Sequence, residues 1–325
     1  MKDGFSREID YLRISLTDKC NLRCGYCMPK EGITHLRHED ILTLEETGRI
    51  AAIMSKLGVR RVRLTGGEPL VRKGVAGFIR MLINECGISK VSMTSNGCLL
   101  DEHAKSLREA GLPEINISLD TLNRDTFYYL TGKDELDRVL KGIDTALKTG
   151  FHVKLNTVLL KGINDEEAEA LVKYADGLGV VIRFIELMPL GCGRLYEGVS
   201  SASLIKRLET VYGKAYKTDR TDDDNKGPAE YYDFEKLGIG TGFISPMSHM
   251  FCKSCSRVRL TAEGFLKLCL QYPDGVDLRD PLRSGMSDGE IKEIIEKAVL
   301  KKPECHSFSV NENNTDRRKM VEIGG

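Results

Sequence analysis

The chain has 325 residues, 41% hydrophobic and 30% charged, with 48 Lys and Arg balanced by 48 Asp and Glu. This composition builds one large or two ordinary globular domains, and it excludes wholesale disorder, a membrane-spanning apolar run and a global positive field for nucleic acid. The charged start, MKDGFSREIDYLR, has no apolar signal core, so a cytoplasmic protein without membrane or nucleic-acid partners is expected, and its ten cysteines read as ligands or catalysts rather than disulfides.

In chain order, residues 11–16 alternate weakly and favour a strand. Residues 44–57 carry apolar side chains at helical spacing, with Thr43 as N-cap, Glu46 completing a capping box and Gly58 as stop. The alternation continues with strand 60–65, helix 78–83, strand 90–94 and a turn at Ser95-Asn96-Gly97. It goes on through helix 101–110, strand 114–119, helix 136–148, strand 152–160, helix 165–178, strand 180–187 and helix 202–211. Six strand–helix units predict a parallel α/β sheet, either open and doubly wound or a partial barrel. No Gly-x-Gly-x-x-Gly follows the first strand, which weakens the dinucleotide-binding version. The character changes near Lys214, so the predicted units are 1–217 and 218–325. The second holds a polar loop at 219–228, a glycine-dense stretch at 238–242, a hairpin pattern at 257–261 and 265–270, and an amphipathic helix at 287–300. The last fifteen residues have no periodicity.

Two tight cysteine groups carry chemistry. Cys20, Cys24 and Cys27 form C-x3-C-x2-C between the first strand and the first helix, the ligand-binding end of a parallel sheet. Three thiolates can hold three corners of an iron–sulfur cube and leave one iron open, whereas structural zinc asks for four ligands and none follows closely. Cys252, Cys255 and Cys269 form C-x2-C-x13-C. With His249 three residues before Cys252, a Cys3His zinc site and a second open cluster are both compatible with the spacing. Cys86 and Cys98 read as packing residues, and Cys192 and Cys305 have no ligand spacing.

Basic residues recur inside the predicted strands: Arg13, Arg61, Arg63, Lys154 and Arg183, then Arg257 and Arg259 in the hairpin. Barrel interiors are normally apolar, and a buried guanidinium needs a pair or an anion, so the set points to a multiply charged, phosphate-like ligand.

An aromatic before the last cysteine of C-x3-C-x2-C resembles the signature of radical S-adenosylmethionine (SAM) enzymes, and Gly66-Gly67-Glu68-Pro69 resembles their GGE motif. YLRISLTDKCNLRCGYCMP, RVRLTGGEPLVR, TSNG, INISLD, VKLNTVLLKGIND, RFIELMP and CSRVRLTAEG, with the terminal Gly-Gly, resemble the GTP 3',8-cyclase family of molybdenum cofactor biosynthesis. The resemblance implies an incomplete (βα)6 TIM-type barrel whose open side is covered by a C-terminal α+β region. It implies two [4Fe-4S] clusters, one on Cys20, Cys24 and Cys27 and one on Cys252, Cys255 and Cys269. SAM contacts then fall on Tyr26, Gly67, Glu68, Ser118 and Met188. GTP contacts fall on Arg13, Arg63, Thr94, Lys154, Arg257, Val258 (through its backbone) and Arg259, with Arg61 and Arg183 as further phosphate ligands. Arg257, Arg259, Gly324 and Gly325 are the catalytic candidates. The implied reaction takes hydrogen from C3' of GTP and joins C3' to C8. The implied partners are an external electron donor and, for the product, cyclic pyranopterin monophosphate synthase, with the chain a monomer or homodimer. A radical SAM enzyme acting on a peptide or another small molecule is the alternative.

Overall fold

A computed structural model describes residues 1–218, 227–308 and 316–324. Among the described residues twelve strands form one sheet. Its parallel part comprises β1 (Tyr11–Ser15), β2 (Arg61–Thr65), β3 (Lys90–Ser95), β4 (Glu114–Ser118), β5 (His152–Thr157), β6 (Val181–Ile185), β9 (Gly240–Ile244) and β10 (Arg257–Leu260). Antiparallel strands extend both ends: β7 (Ala215–Thr218) and β8 (Ala229–Phe234) beyond β9, β11 (Phe265–Lys267) and β12 (Gly275–Asp277) beyond β10. The order runs β12-β11-β10-β1-β2-β3-β4-β5-β6-β9-β8-β7 and does not close, which is the incomplete barrel expected.

The connecting helices are α1 (Leu44–Lys56), α2 (Val75–Asn84), α3 (Leu100–Glu109), α4 (Arg124–Thr131), α5 (Leu136–Lys148), α6 (Ala168–Leu178) and α7 (Ser201–Tyr212). The C-terminal region adds α8 (Arg279–Arg283), α9 (Asp288–Val299) and the single turn α10 (Met320–Ile323). The Thr43–Glu46 capping box forms at α1, and Ser287–Glu290 makes a second at α9.

Strand alternation divides the sheet into two faces. One parity, including Leu12, Ile14, Val62, Leu64, Met93, Ile117, Leu155 and Phe184, is buried in the continuous apolar core. Truncating one such residue to Ala costs about 2–5 kcal/mol. The other parity, including Arg13, Arg63, Thr94, Lys154 and Arg183, is polar and lines a cavity. A barrel interior of this kind is filled with ligand-binding groups rather than with Val and Leu.

Several elements depart from the sequence expectation. The stretch 238–242 reads only as glycine-dense, yet Gly240–Ile244 is a strand paired parallel with β6. Gly242 is required there, because a Cβ would come within 2.7 Å of the Arg183 Cγ and 2.9 Å of the Tyr231 ring. The helix α4 was not expected. Its Asn123 cap is ordinary, but exposed Tyr128 and Tyr129 blur its apolar period. The strand expected over 152–160 ends at Thr157. The aperiodic C-terminus holds α10, with Val321 and Ile323 buried. Most of the 219–228 loop, and Gly325, lie outside the described residues.

Candidate active site

A single cavity of about 430 Å³ is lined by all six cysteines of the two triplets. Its wall also contains Tyr26, Gly67, Glu68, Ser118 and Met188, and the cations Arg13, Arg61, Arg63, Lys154, Arg183, Arg257 and Arg259, with Thr94. Val258 does not line it. Its side chain has the outward parity of β10 and is fully buried in the core.

The first triplet follows β1. Cys20 Sγ accepts from Leu22 N–H at 3.4 Å and from Asn96 Nδ2 at 3.7 Å. Burial pushes the Cys20 thiol up to about 11, and burial, followed by the Cys27 thiolate charge, raises Cys24 well above its ordinary value. Burial also raises Cys27, with Cys20 as the next cause. Three sulfurs crowded in this way gain from a positively charged iron centre, which keeps thiolates deprotonated. Among the described residues no three His, Cys, Asp or Glu side chains converge as on one metal ion.

Gly67 lets β2 meet the cysteine loop. Its N–H donates to Thr17 O at 2.6 Å, and a Cβ would fall 2.2 Å from Lys19 O. Glu68, 1% exposed, accepts from Asn96 N–H at 2.7 Å, Ser95 Oγ–H at 2.9 Å and Leu70 N–H at 3.1 Å. Burial outweighs these donors and lifts its carboxyl to about 7. A cation arriving in the cavity would restore its charge. Tyr26 donates to buried Asp120 at 2.6 Å, and burial raises Asp120 to about 6.

The second triplet brackets the β10–β11 hairpin, with Cys252 and Cys255 before β10 and Cys269 after β11. His249, the candidate fourth zinc ligand, is exposed and lines a different, smaller pocket, so the Cys3His set is not assembled. The histidine that reaches the triplet is His306, through its backbone N–H, which donates to Cys252 Sγ at 3.4 Å. Burial opposes ionisation of Cys255, but Lys302 and Arg257 overcome it and bring the thiol down to about 7. Arg7 clasps the triplet loop from the N-terminus, donating to Cys252 O at 2.9 Å and Pro303 O at 2.6 Å while its Nε meets Asp3 at 2.6 Å. Arg7, Lys302 and His306 have no local spacing signal in the sequence.

Arg13, Arg61, Arg63, Arg257 and Arg259 fall in two transverse rows. Cross-strand register aligns Lys90, Arg61, Tyr11 and Arg257 in one, and Ser92, Arg63, Arg13, Arg259 and Lys267 in the next. Arg61 and Arg63 both lie over the Tyr11 ring, at 5.1 and 5.9 Å. Glu114 accepts from Lys154 at 3.0 Å and Arg63 at 3.2 Å, and Asp10 accepts from Arg61 at 2.7 Å. Arg183 reaches Asn156 at 3.0 Å and Asn116. Even so, positive charge is in excess. Burial and then Arg259 hold Arg13 well below its ordinary pKa, burial and then Arg257 bring Arg259 to about 10, and Arg13 Nε is a buried donor with no acceptor among the described residues. An anion fits this wall, because it supplies acceptors and opposite charge together.

The tail enters the same cavity. Gly324 O accepts from Arg259 Nη1 at 2.9 Å and Thr65 Oγ at 3.3 Å, so Gly324 is brought to the cation rows.

Comparison with known proteins adds a lineage to this geometry. The family model of the radical SAM superfamily matches residues 14–175, and one described as Molybdenum Cofactor Synthesis C matches 180–308. The chain is 44% identical over 325 residues to the GTP 3',8-cyclase of Clostridium perfringens (strain SM101 / Type A), covering 100% of both chains. It is 43% identical over 331 residues to that of Hydrogenovibrio crunogenus, covering 99% of each. Among solved structures, Streptococcus suis SuiB bound to S-adenosylmethionine shares the fold with a TM-score of 0.61 and 18% identity, covering 88% of this chain and 68% of that one.

Proposed function

The chain belongs to the GTP 3',8-cyclase family of radical SAM proteins, and on that premise we propose that it converts GTP to (8S)-3',8-cyclo-7,8-dihydroguanosine 5'-triphosphate, the first step of molybdenum cofactor biosynthesis. The observation that carries this reading is one cavity with a three-cysteine loop at each of two places and a cation wall that holds a buried, unsatisfied guanidinium donor. Cys20, Cys24 and Cys27 would hold a first cluster that, with SAM, would supply a 5'-deoxyadenosyl radical, and Cys252, Cys255 and Cys269 would hold a second that would supply Lewis-acid chemistry toward the guanine.

The chain's own residues bind, orient and exclude water. Glu68 receives the SAM ammonium, a charge that draws its carboxyl back to the ionised form. Gly67 allows close backbone approach, and Tyr26, Ser118 and Met188 complete the SAM side. Arg13, Arg63, Lys154, Arg257 and Arg259 grip the triphosphate, aided by Arg61, Arg183, Thr94 and the main chain of Val258. Guanidinium forks match phosphate oxygens in pairs. The ribose C3' hydrogen is thereby held between the two halves, and such orientation is worth up to ~7–11 kcal/mol in favourable cases. Gly324 closes the phosphate end beside Arg259 and keeps water from the radical. In this scheme residues 1–217 serve SAM and residues 218–325 complete the GTP site. An external reductant feeds the reaction, and a cyclic pyranopterin monophosphate synthase takes the product, in the cytoplasm, from a monomer or homodimer. No helix among the described residues is long and apolar enough to cross a membrane.

The test is anaerobic reaction of the reconstituted protein with SAM, GTP and a strong reductant. Formation of 5'-deoxyadenosine together with a cyclised nucleotide supports the reading. Formation of 5'-deoxyadenosine that never depends on GTP, with no cyclised product, overturns it.

A further inference from the structure

The second cation row ends in an unusual group. Lys267, directly across from Arg259 in the β10–β11 pairing, has a fully buried side chain. Its ammonium donates to Tyr272 O at 2.7 Å and to the carboxylate of Asp316, itself 4% exposed. Asp316 is the first described residue of the C-terminal segment, and its own N–H is bonded to Gln271 O at 2.6 Å. Arg318 closes the clasp. It donates to Asp316 from Nη2 at 2.9 Å and to Glu263 from Nη1 at 3.2 Å, and it lies 5.1 Å over the Phe265 ring. Eight residues after Asp316, Gly324 O meets the guanidinium of Arg259.

We infer that Lys267 and Asp316 are positioning residues for cyclisation: their buried ion pair seats the C-terminal segment so that Gly324 meets Arg259 at the substrate wall. One turn of helix does not hold itself, so the seat of α10 depends on side-chain anchors. Val321 and Ile323 supply apolar burial, which fixes depth but not register. The ion pair supplies register, because a lysine buried beside Arg259 is satisfied by a carboxylate at one place only. Removing one member of such a pair is costly, since the other is left as a buried charge. Lys267 and Arg259 share one row of the hairpin, so the same strands that hold substrate cations also hold the tail.

This inference rests on the cyclase reading, and the experiment separates the two. Full-length Asp316→Asn and Arg318→Met are reconstituted anaerobically beside wild type. Iron content, hydrogen exchange of the 320–324 amides, and the yield of cyclised nucleotide per 5'-deoxyadenosine are measured. Asp316→Asn is expected to keep both clusters, to exchange its tail amides about tenfold faster and to lose about tenfold in cyclised nucleotide per 5'-deoxyadenosine. Arg318→Met, which leaves no buried lysine unpaired, changes both in the same direction by less, and it decides the matter if Asp316→Asn fails to hold iron. Wild-type tail exchange in the variants, or fast exchange with a wild-type product ratio, overturns the inference. A wild-type protein that yields no cyclised nucleotide overturns the cyclase reading instead, while the exchange arm still reports on the clasp.

Discussion

Glu114→Gln isolates the charge balance of the cation wall. Glu114 opens β4 facing the cavity, with its side chain 7% exposed and that of Lys154 3% exposed. Burial works against its ionisation, but Lys154 and Arg63 outweigh it and hold the carboxyl below its ordinary value. Gln keeps the shape and one acceptor and removes the charge, so Lys154 and Arg63 lose their carboxylate in a desolvated site. Breaking a buried pair from one side costs about 3–5 kcal/mol. An unfolding entropy of roughly 2.1 cal/mol/K per residue over this chain gives about 0.7 kcal/mol/K, so the thermal midpoint should fall by about 4–7 °C. A triphosphate would replace the lost charge. Added GTP should therefore raise the variant's midpoint by more than the wild type's. A depressed carboxyl contributes stability above its unfolded pKa and loses it as pH falls through the folded one, so the gap between the proteins closes in acid. Anaerobic thermal unfolding with and without GTP, near neutral pH and near pH 4, is the assay. An unchanged midpoint, or a smaller GTP effect in the variant, refutes the reasoning.

Arg257→Ala and Arg259→Ala should each retain both clusters by iron and sulfide analysis yet lose about a hundredfold or more in GTP turnover. Gly67→Ala puts a Cβ 2.2 Å from Lys19 O, so it should weaken SAM binding and shed iron from the first cluster only, read by equilibrium dialysis and by iron count. Glu68 has the opposite sign to Glu114. Its folded pKa of about 7 stands above the ordinary 4.5, so the SAM-free protein loses stability as pH rises between those values. Denaturant midpoints across that window should flatten in Glu68→Gln, and an unaltered slope would assign the effect elsewhere.

Much of the site was legible because its chemistry is local in sequence. The Cys20–Cys27 and Cys252–Cys255 spacings, Gly67-Glu68 and the paired arginines of β2 and β10 are short patterns on strands or at strand ends, and alternation carries Arg61 with Arg63, and Arg257 with Arg259, to one face. What sequence missed depends on distant pairing. Glu114 reads as an ordinary first residue of a strand until register sets it beside Arg63 and Lys154. His306, Lys302 and Arg7 reach the second triplet from segments with no motif, and His249, near in sequence, faces elsewhere. The strand at 240–244 was hidden because Gly242, chosen to clear Arg183 and Tyr231, erases the β-branched signature.

The most direct test of a cavity that serves two clusters and a triphosphate is electron paramagnetic resonance of the reduced, reconstituted protein, titrated separately with SAM and with GTP. The expected result is two cluster signals, one shifted by SAM alone and the other by GTP alone, with Cys269→Ala abolishing only the GTP-sensitive signal. A single cluster signal, or GTP leaving both signals unmoved, would contradict it.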